Sequence, residues 1–155
     1  MKFVRSDAWL LAAIAEHSPS GSAQKLQEFV HDCDWLNRSL PTFDEVSFGL
    51  QRLSQAGYVE LERELGKILR LKATPQATQL GERVHAAAST LGDVLDGFNK
   101  ELATPSYLEP EIEDRSLGRL PDFREDEWDA AVDAYGQWFH ATAKELLGID
   151  MDQVG

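Results

Sequence analysis

The stretch from Thr42 to Lys72 constrains this chain most, because its hydrophobic period changes there from helical to alternating at a single glycine. Thr42 and Glu45 have the spacing of a capping box, in which hydroxyl and carboxylate each satisfy a free backbone N–H. Val46, Leu50 and Leu53 then fall on one helical face. Gly57 stands where a helix stop calls for a residue that accepts positive φ. From Tyr58 to Arg63 apolar and polar residues roughly alternate. Glu64-Leu65-Gly66-Lys67 reads as a turn, and Ile68 to Lys72 as a second strand. The two runs predict a β-hairpin with Gly66 at its turn.

Two helices precede this unit. Ser6 can cap a helix from Asp7 to His17, with Leu10, Ala13, Ile14 and His17 on one face. Lys2 and Arg5 before the apolar run, and Gly21-Ser22-Ala23 after it, imitate a secretion signal. Asp7 and Glu16-His17 border the run directly, and a short amphipathic helix accounts for the same residues. Ser18-Pro19-Ser20-Gly21 breaks that helix. A second helix runs from Ala23 to Trp35 and buries Leu26, Phe29, Val30 and Cys33. Asn37 to Pro41 form a turn.

Beyond the hairpin, Thr74-Pro75 starts a helix over 76–99, with proline in the tolerated first turn. Leu80, Val84, Ala87, Leu91, Val94 and Phe98 form a heptad seam along it. Pro105, Pro110, Gly118 and Pro121 make 103–124 an extended, acid-rich connector. A last helix spans Glu125–Leu147, and Trp128, Val132, Tyr135, Phe139, Thr142 and Leu146 repeat the seam. A helix with a strict apolar seam needs a partner. The seams can pair antiparallel within the chain or across a two-fold axis. The packing residues are Leu91, Phe98, Trp128, Tyr135, Trp138 and Phe139. Their aromatic surface exceeds one packing stripe and predicts a homodimer.

The fold class is therefore mainly α with a small β-hairpin: a module over 1–75 and an acidic helical extension over 76–155. Leu50-Gln51-Arg52-Leu53-Ser54-Gln55-Ala56-Gly57-Tyr58-Val59-Glu60 is similar to the junction where a recognition helix enters the wing of winged helix-turn-helix proteins. Leu71-Lys72-Ala73-Thr74-Pro75-Gln76-Ala77 resembles the segment that leaves the wing in MarR- and PadR-like regulators. It departs from them in carrying Ala77 or Thr78 where glycine is usual. The resemblance covers residues 6–80 and implies a bacterial transcriptional regulator. In such proteins the third helix enters the major groove and the wing touches the backbone.

On that reading, helix 42–56 and the wing at 63–70 hold duplex DNA. The face opposite Val46, Leu50 and Leu53 carries Asp44, Phe48, Gln51 and Gln55, flanked by Ser47 and Arg52. Gln51 and Gln55 can bond adenine, Arg52 can reach guanine, and Phe48 can meet a thymine methyl. Arg63, Lys67 and Arg70, with Lys25 and Arg38, can hold phosphates.

Charge supports a different partner. The chain carries a net −12, divided unevenly. Residues 1–80 hold nine Lys or Arg against ten Asp or Glu, and residues 81–155 hold six against seventeen. A negative field repels phosphate and attracts basic partners, although net negative charge also serves solubility alone. Asp44 and Glu45 suit the dipole of the third helix, yet they put anions where a base-reading helix approaches DNA. Phe48 on an outer face equally suits a protein contact. The alternative is thus an acidic protein-binding module, antitoxin- or immunity-like, that binds a basic protein. A regulator that senses an effector would hold it between the module and the last helix, and no residue identifies that ligand.

No catalytic motif is present: no P-loop, dinucleotide fingerprint or nucleophile elbow occurs. A non-enzymatic protein without cofactor or metal is expected. In His31-Asp32-Cys33-Asp34 only His31 and Asp34 share a helical face, short of the three or four converging ligands that zinc needs. The acidic groups at 109–114 and 125–129 read as a solvated loop and a helix start. Cys33 is the only cysteine and fits a reducing cytoplasm. No run is long and apolar enough for a membrane span, so no membrane partner is expected.

Overall fold

Helix α1 (Arg5–His17) is enclosed on every side. Asp7 through Ala15 are all buried in an unbroken row. A helix that is apolar all round belongs inside a core, so the single apolar face expected for this segment understates its burial. The computed structural model describes residues 1–17, 21–63, 67–111 and 113–149. The expected break at Ser18-Pro19-Ser20 and the hairpin turn at Gly66 lie outside them.

Among the described residues the chain is mainly helical, with one small antiparallel sheet. In order it forms α1, β1 (Gln24–Lys25), α2 (Leu26–Asn37), α3 (Phe43–Gln55), β2 (Val59–Glu62) and β3 (Arg70–Ala73). Then follow α4 (Pro75–Ala87), α5 (Leu91–Glu101) and α6 (Glu125–Leu147). The sheet order is β1-β3-β2. Val59 stands opposite Ala73, and Leu61 opposite Leu71.

Strand β1 was not expected; the sequence pattern assigns Gln24 and Lys25 to the second helix. They pair instead with Leu71 and Arg70 on the edge of β3 that β2 leaves open. Gln24 is buried and donates from Nε2 to Asp32 Oδ2 at 2.6 Å. An otherwise bare sheet edge thereby gains backbone partners.

Helix α3 begins and ends as the sequence predicts. Thr42 Oγ1 accepts from Glu45 N at 3.2 Å, and Glu45 Oε2 accepts from Thr42 N at 2.7 Å. Gly57 takes φ 80°, which lets Tyr58 N donate to Leu53 O at 3.0 Å.

The expected helix over 76–99 is two helices. Ala88 is extended, and Thr90 and Asp93 form a second capping box that restarts the chain as α5. Gly97 permits the fold-back: a Cβ there would lie 2.7 Å from Val84 Cγ1. The heptad seam is accordingly split. Leu80 and Val84 of α4, with Val94 and Phe98 of α5, are buried, while Leu91 is 40% exposed.

Within the chain the two predicted seams do not pair with each other. Helices α4 and α5 pack on α1, and α6 packs on α2. Trp128 meets Phe29 edge-on at 6.2 Å, and Tyr135 donates its hydroxyl to Asp34 Oδ2 at 2.5 Å. One cluster of buried apolar residues runs from Ala8 to Tyr135 and takes side chains from every helix. No helix among the described residues is long and apolar enough to cross a membrane.

Candidate functional site

The outer face of α3 is covered by the chain itself. Leu120 N donates to Ser47 O at 3.0 Å and lies 3.2 Å from Ser47 Oγ. The Arg115 guanidinium sits 4.8 Å from the centre of the Phe48 ring, and that of Arg119 lies 5.6 Å away. Arg119 also binds Asp44 at 2.6 Å, and Phe123 packs on Phe43 at 5.3 Å. The segment 114–123 is thus a strap over the helix, held by the Leu120–Ser47 backbone bond, by cation–ring contacts of Arg115 and Arg119 with Phe48 and of Arg119 with Phe43, by ion pairs of both arginines with Asp44, and by the burial of Leu120 and Phe123.

This overturns part of the expected binding face. Ser47 and Phe48 are buried, the first wholly and the second with 7% of its surface left. Gln51 is half-buried, and Gln55 alone of the group stays exposed. The 100° wheel placed these residues correctly relative to Val46, Leu50 and Leu53. It carried no information about a segment arriving from seventy residues farther along the chain.

Arg52 is the largest correction. It was expected to reach guanine, yet it is among the most buried side chains of the protein. Its Nε and Nη2 donate to the two carboxylate oxygens of Asp7 at 2.7 and 2.8 Å. Its Nη1 donates to Asp114 O at 2.7 Å, under the strap. Val4 N adds a donor to Asp7 Oδ2 at 2.9 Å. Burial pushes the Asp7 carboxyl above its ordinary value, and the bonds from Arg52 and Val4 pull against that rise. Gly49 makes room for the pair, because a Cβ there would lie 2.5 Å from Leu10 Cδ1 and 2.9 Å from Asp7 Oδ1. The available signal was Asp7 itself: a carboxylate against so apolar a helix requires a cation.

The cations of the β2–β3 pair keep their exposure but not their freedom of position. Arg63, Lys67 and Arg70 are all exposed. Arg63 binds Glu127 Oε2 at 2.7 Å, and Leu69 N donates to Glu127 Oε1 at 2.8 Å. A single carboxylate in the first turn of α6 therefore clamps the sheet to that helix. Between them lies a groove of about 820 Å³. Leu26, Leu69, Ala130, Ala131 and Ala134 supply apolar lining, and Lys25, Arg63, Lys67, Arg70 and Arg124 line it with positive charge.

A second surface lies at the far end of α6. Trp128, Ala131 and Tyr135 are its buried residues, all in the first half. Trp138 and Phe139 remain 45% and 44% exposed, and Leu146 and Leu147 stand clear beyond them. Trp35 and Leu91 face the same open groove.

The residues at 31–34 serve separate partners. His31 Nδ1 lies 3.0 Å from Asp32 Oδ1, Asp34 accepts from Tyr135, and Cys33 is buried with its carbonyl accepting from Trp9 Nε1 at 2.9 Å. Burial raises the Cys33 thiol well above its ordinary value, which suits a packing role. Comparison of the chain with family models, with curated proteins and with solved structures finds no match in any of the three.

Proposed function

We propose that the chain is a non-enzymatic interaction module on a winged helix-turn-helix frame, and that it pairs with a second copy of itself through the exposed half of α6. The order α1-β1-α2-α3-β2-β3 supports the frame. The observation that carries the reading is the strap at 114–123. It occupies the face of α3 with which such a frame meets a duplex, while Arg52 is consumed by Asp7.

The second copy is argued from area. Trp35, Leu91, Trp138, Phe139, Leu146 and Leu147 are each at least 40% exposed. With aromatic side chains presenting about 150–250 Å² each and the leucines toward the lower end of that range, this leaves on the order of 600 Å² of apolar surface per copy. Stable interfaces cover roughly 800 Å² per partner, so two such faces against each other come close to what a dimer needs. A two-fold contact also uses the same patch on both copies.

Sedimentation equilibrium tests this directly. Wild-type protein is expected to be a dimer, and Trp138→Glu with Leu146→Glu a folded monomer. A wild type that stays monomeric over a wide concentration range rejects the reading.

Duplex binding is the second reading, favoured by the exposure of Gln55, Arg63, Lys67 and Arg70. It requires the strap to leave α3. Binding of mixed-sequence duplex at low salt that falls with Lys67→Ala would support it, because phosphate contacts are salt-dependent and act through such cations.

A further inference from the structure

We infer that the groove between the sheet and the first half of α6 is a binding site for a small organic anion with an apolar body, of the single-chain carboxylate class. Four observations converge on it. The first is charge. Among the described residues five cations line the groove, Lys25, Arg63, Lys67, Arg70 and Arg124, against two carboxylates, Asp126 and Glu127. Both carboxylates are already engaged. Glu127 binds Arg63 and the Leu69 amide, and Asp126 binds Arg124 at 3.0 Å.

The second observation is register. Lys25 of β1 stands directly opposite Arg70 of β3. Like charges directly across an antiparallel pair are destabilising. Glu62, opposite Arg70 on the other strand, makes no ion pair with it among the described residues. The two cations are therefore set side by side at the groove, where an anion would relieve their repulsion.

The third is the lining. Leu26, Leu69, Ala130, Ala131 and Ala134 line the groove between and below these charges, and Ile68 is 65% exposed at its edge. Alanines on α6 keep the space open where larger side chains would fill it. An apolar wall under a cationic rim suits a ligand with an apolar body and one anionic end, and suits a fully hydrated phosphate poorly. The fourth is size: about 820 Å³ lies within the range of small-molecule sites.

This site is independent of the α6 surface used for pairing, and the test keeps them apart. Dodecanoate, below its micelle concentration, is titrated into the full chain by calorimetry. Dodecyltrimethylammonium is the control of opposite charge. Saturable binding of dodecanoate with one site per chain is expected, weakening with salt, together with a rise in Tm. Lys25→Gln with Arg70→Gln should lower affinity about tenfold or more, the loss of charge-assisted contacts, while leaving the unliganded protein at least as stable. Trp138→Ala should leave binding unchanged. Equal binding of the cationic amphiphile, insensitivity to the double substitution, or loss of binding in Trp138→Ala would each overturn the inference. No saturable binding of dodecanoate would overturn it as well.

Discussion

Arg52 and Asp7 meet as a bidentate pair at 2.7 and 2.8 Å, each almost wholly out of solvent, and so join α3 to α1 at the centre of the protein. Breaking such a pair strands a charge in the core. Arg52→Ala and Asp7→Ala are each expected to cost about 3–5 kcal/mol in chemical denaturation. Arg52→Met combined with Asp7→Leu should lose less than the sum of the single changes, because neither charge remains to be desolvated. Additive losses would show that the two side chains act separately.

Close helix packing predicts a contrast between glycines. At Gly49 an added methyl meets Leu10 Cδ1 at 2.5 Å, and at Gly97 it meets Val84 Cγ1 at 2.7 Å. Alanine at either is expected to destabilise by about 1–3 kcal/mol through overpacking. Gly136 lies within α6 with nothing within 4 Å of its missing Cβ. Alanine there should stabilise by about 0.5–1 kcal/mol from helix propensity. Thermal melts of the three variants check the order.

Exposed Arg115 and Arg119 hold the outer side of the strap, while Leu120 and Phe123 are buried beneath it, so loss of the arginines should act locally. Arg115→Ala with Arg119→Ala removes both guanidinium groups from Phe48 and both ion pairs with Asp44. Global stability should change by less than about 1 kcal/mol, as for exposed ion pairs. Amide exchange should rise at 114–123 and at Ser47 and Phe48 of α3. Exchange that rises evenly across the protein would mean that the strap is part of the cooperative core.

Tyr135 fastens α6 to α2 by its bond to Asp34. Tyr135→Phe should cost about 1.5–3 kcal/mol, the range for a hydrogen bond to a charged group. Burial, with Asp34 adding to it, holds the Tyr135 hydroxyl well above its ordinary value of 10.0. The sign follows from that rise. The contribution is complete below pH 10.0 and declines above it, where the unfolded phenol ionises while the folded one keeps its proton. Wild type should therefore lose more stability than Tyr135→Phe as denaturation is moved from neutral to strongly alkaline pH.

Local signals decided the parts of this protein that were legible from sequence. The capping box of Thr42 and Glu45, the stop at Gly57 and the switch to alternation at Tyr58 each involve neighbours a few residues apart, so chain order alone determined them. The buried half of α6 was legible in the same way from Trp128 and Tyr135. Tertiary structure decided what those elements face. The capping box of Thr90 and Asp93 is a local signal that the heptad seam masked, but it is the close approach of Gly97 to Val84 that lets α5 fold back along α4. Strand β1 formed because β3 offered an open edge, which no pattern in Gln24-Lys25 announces. Above all, Arg52 was assigned to solvent by its place on a helical wheel and to the core by Asp7, forty-five positions away. Periodicity reports which residues share a face. Whether that face meets water, a ligand or the rest of the chain depends on contacts between segments distant in sequence, and these exist only once the chain has closed.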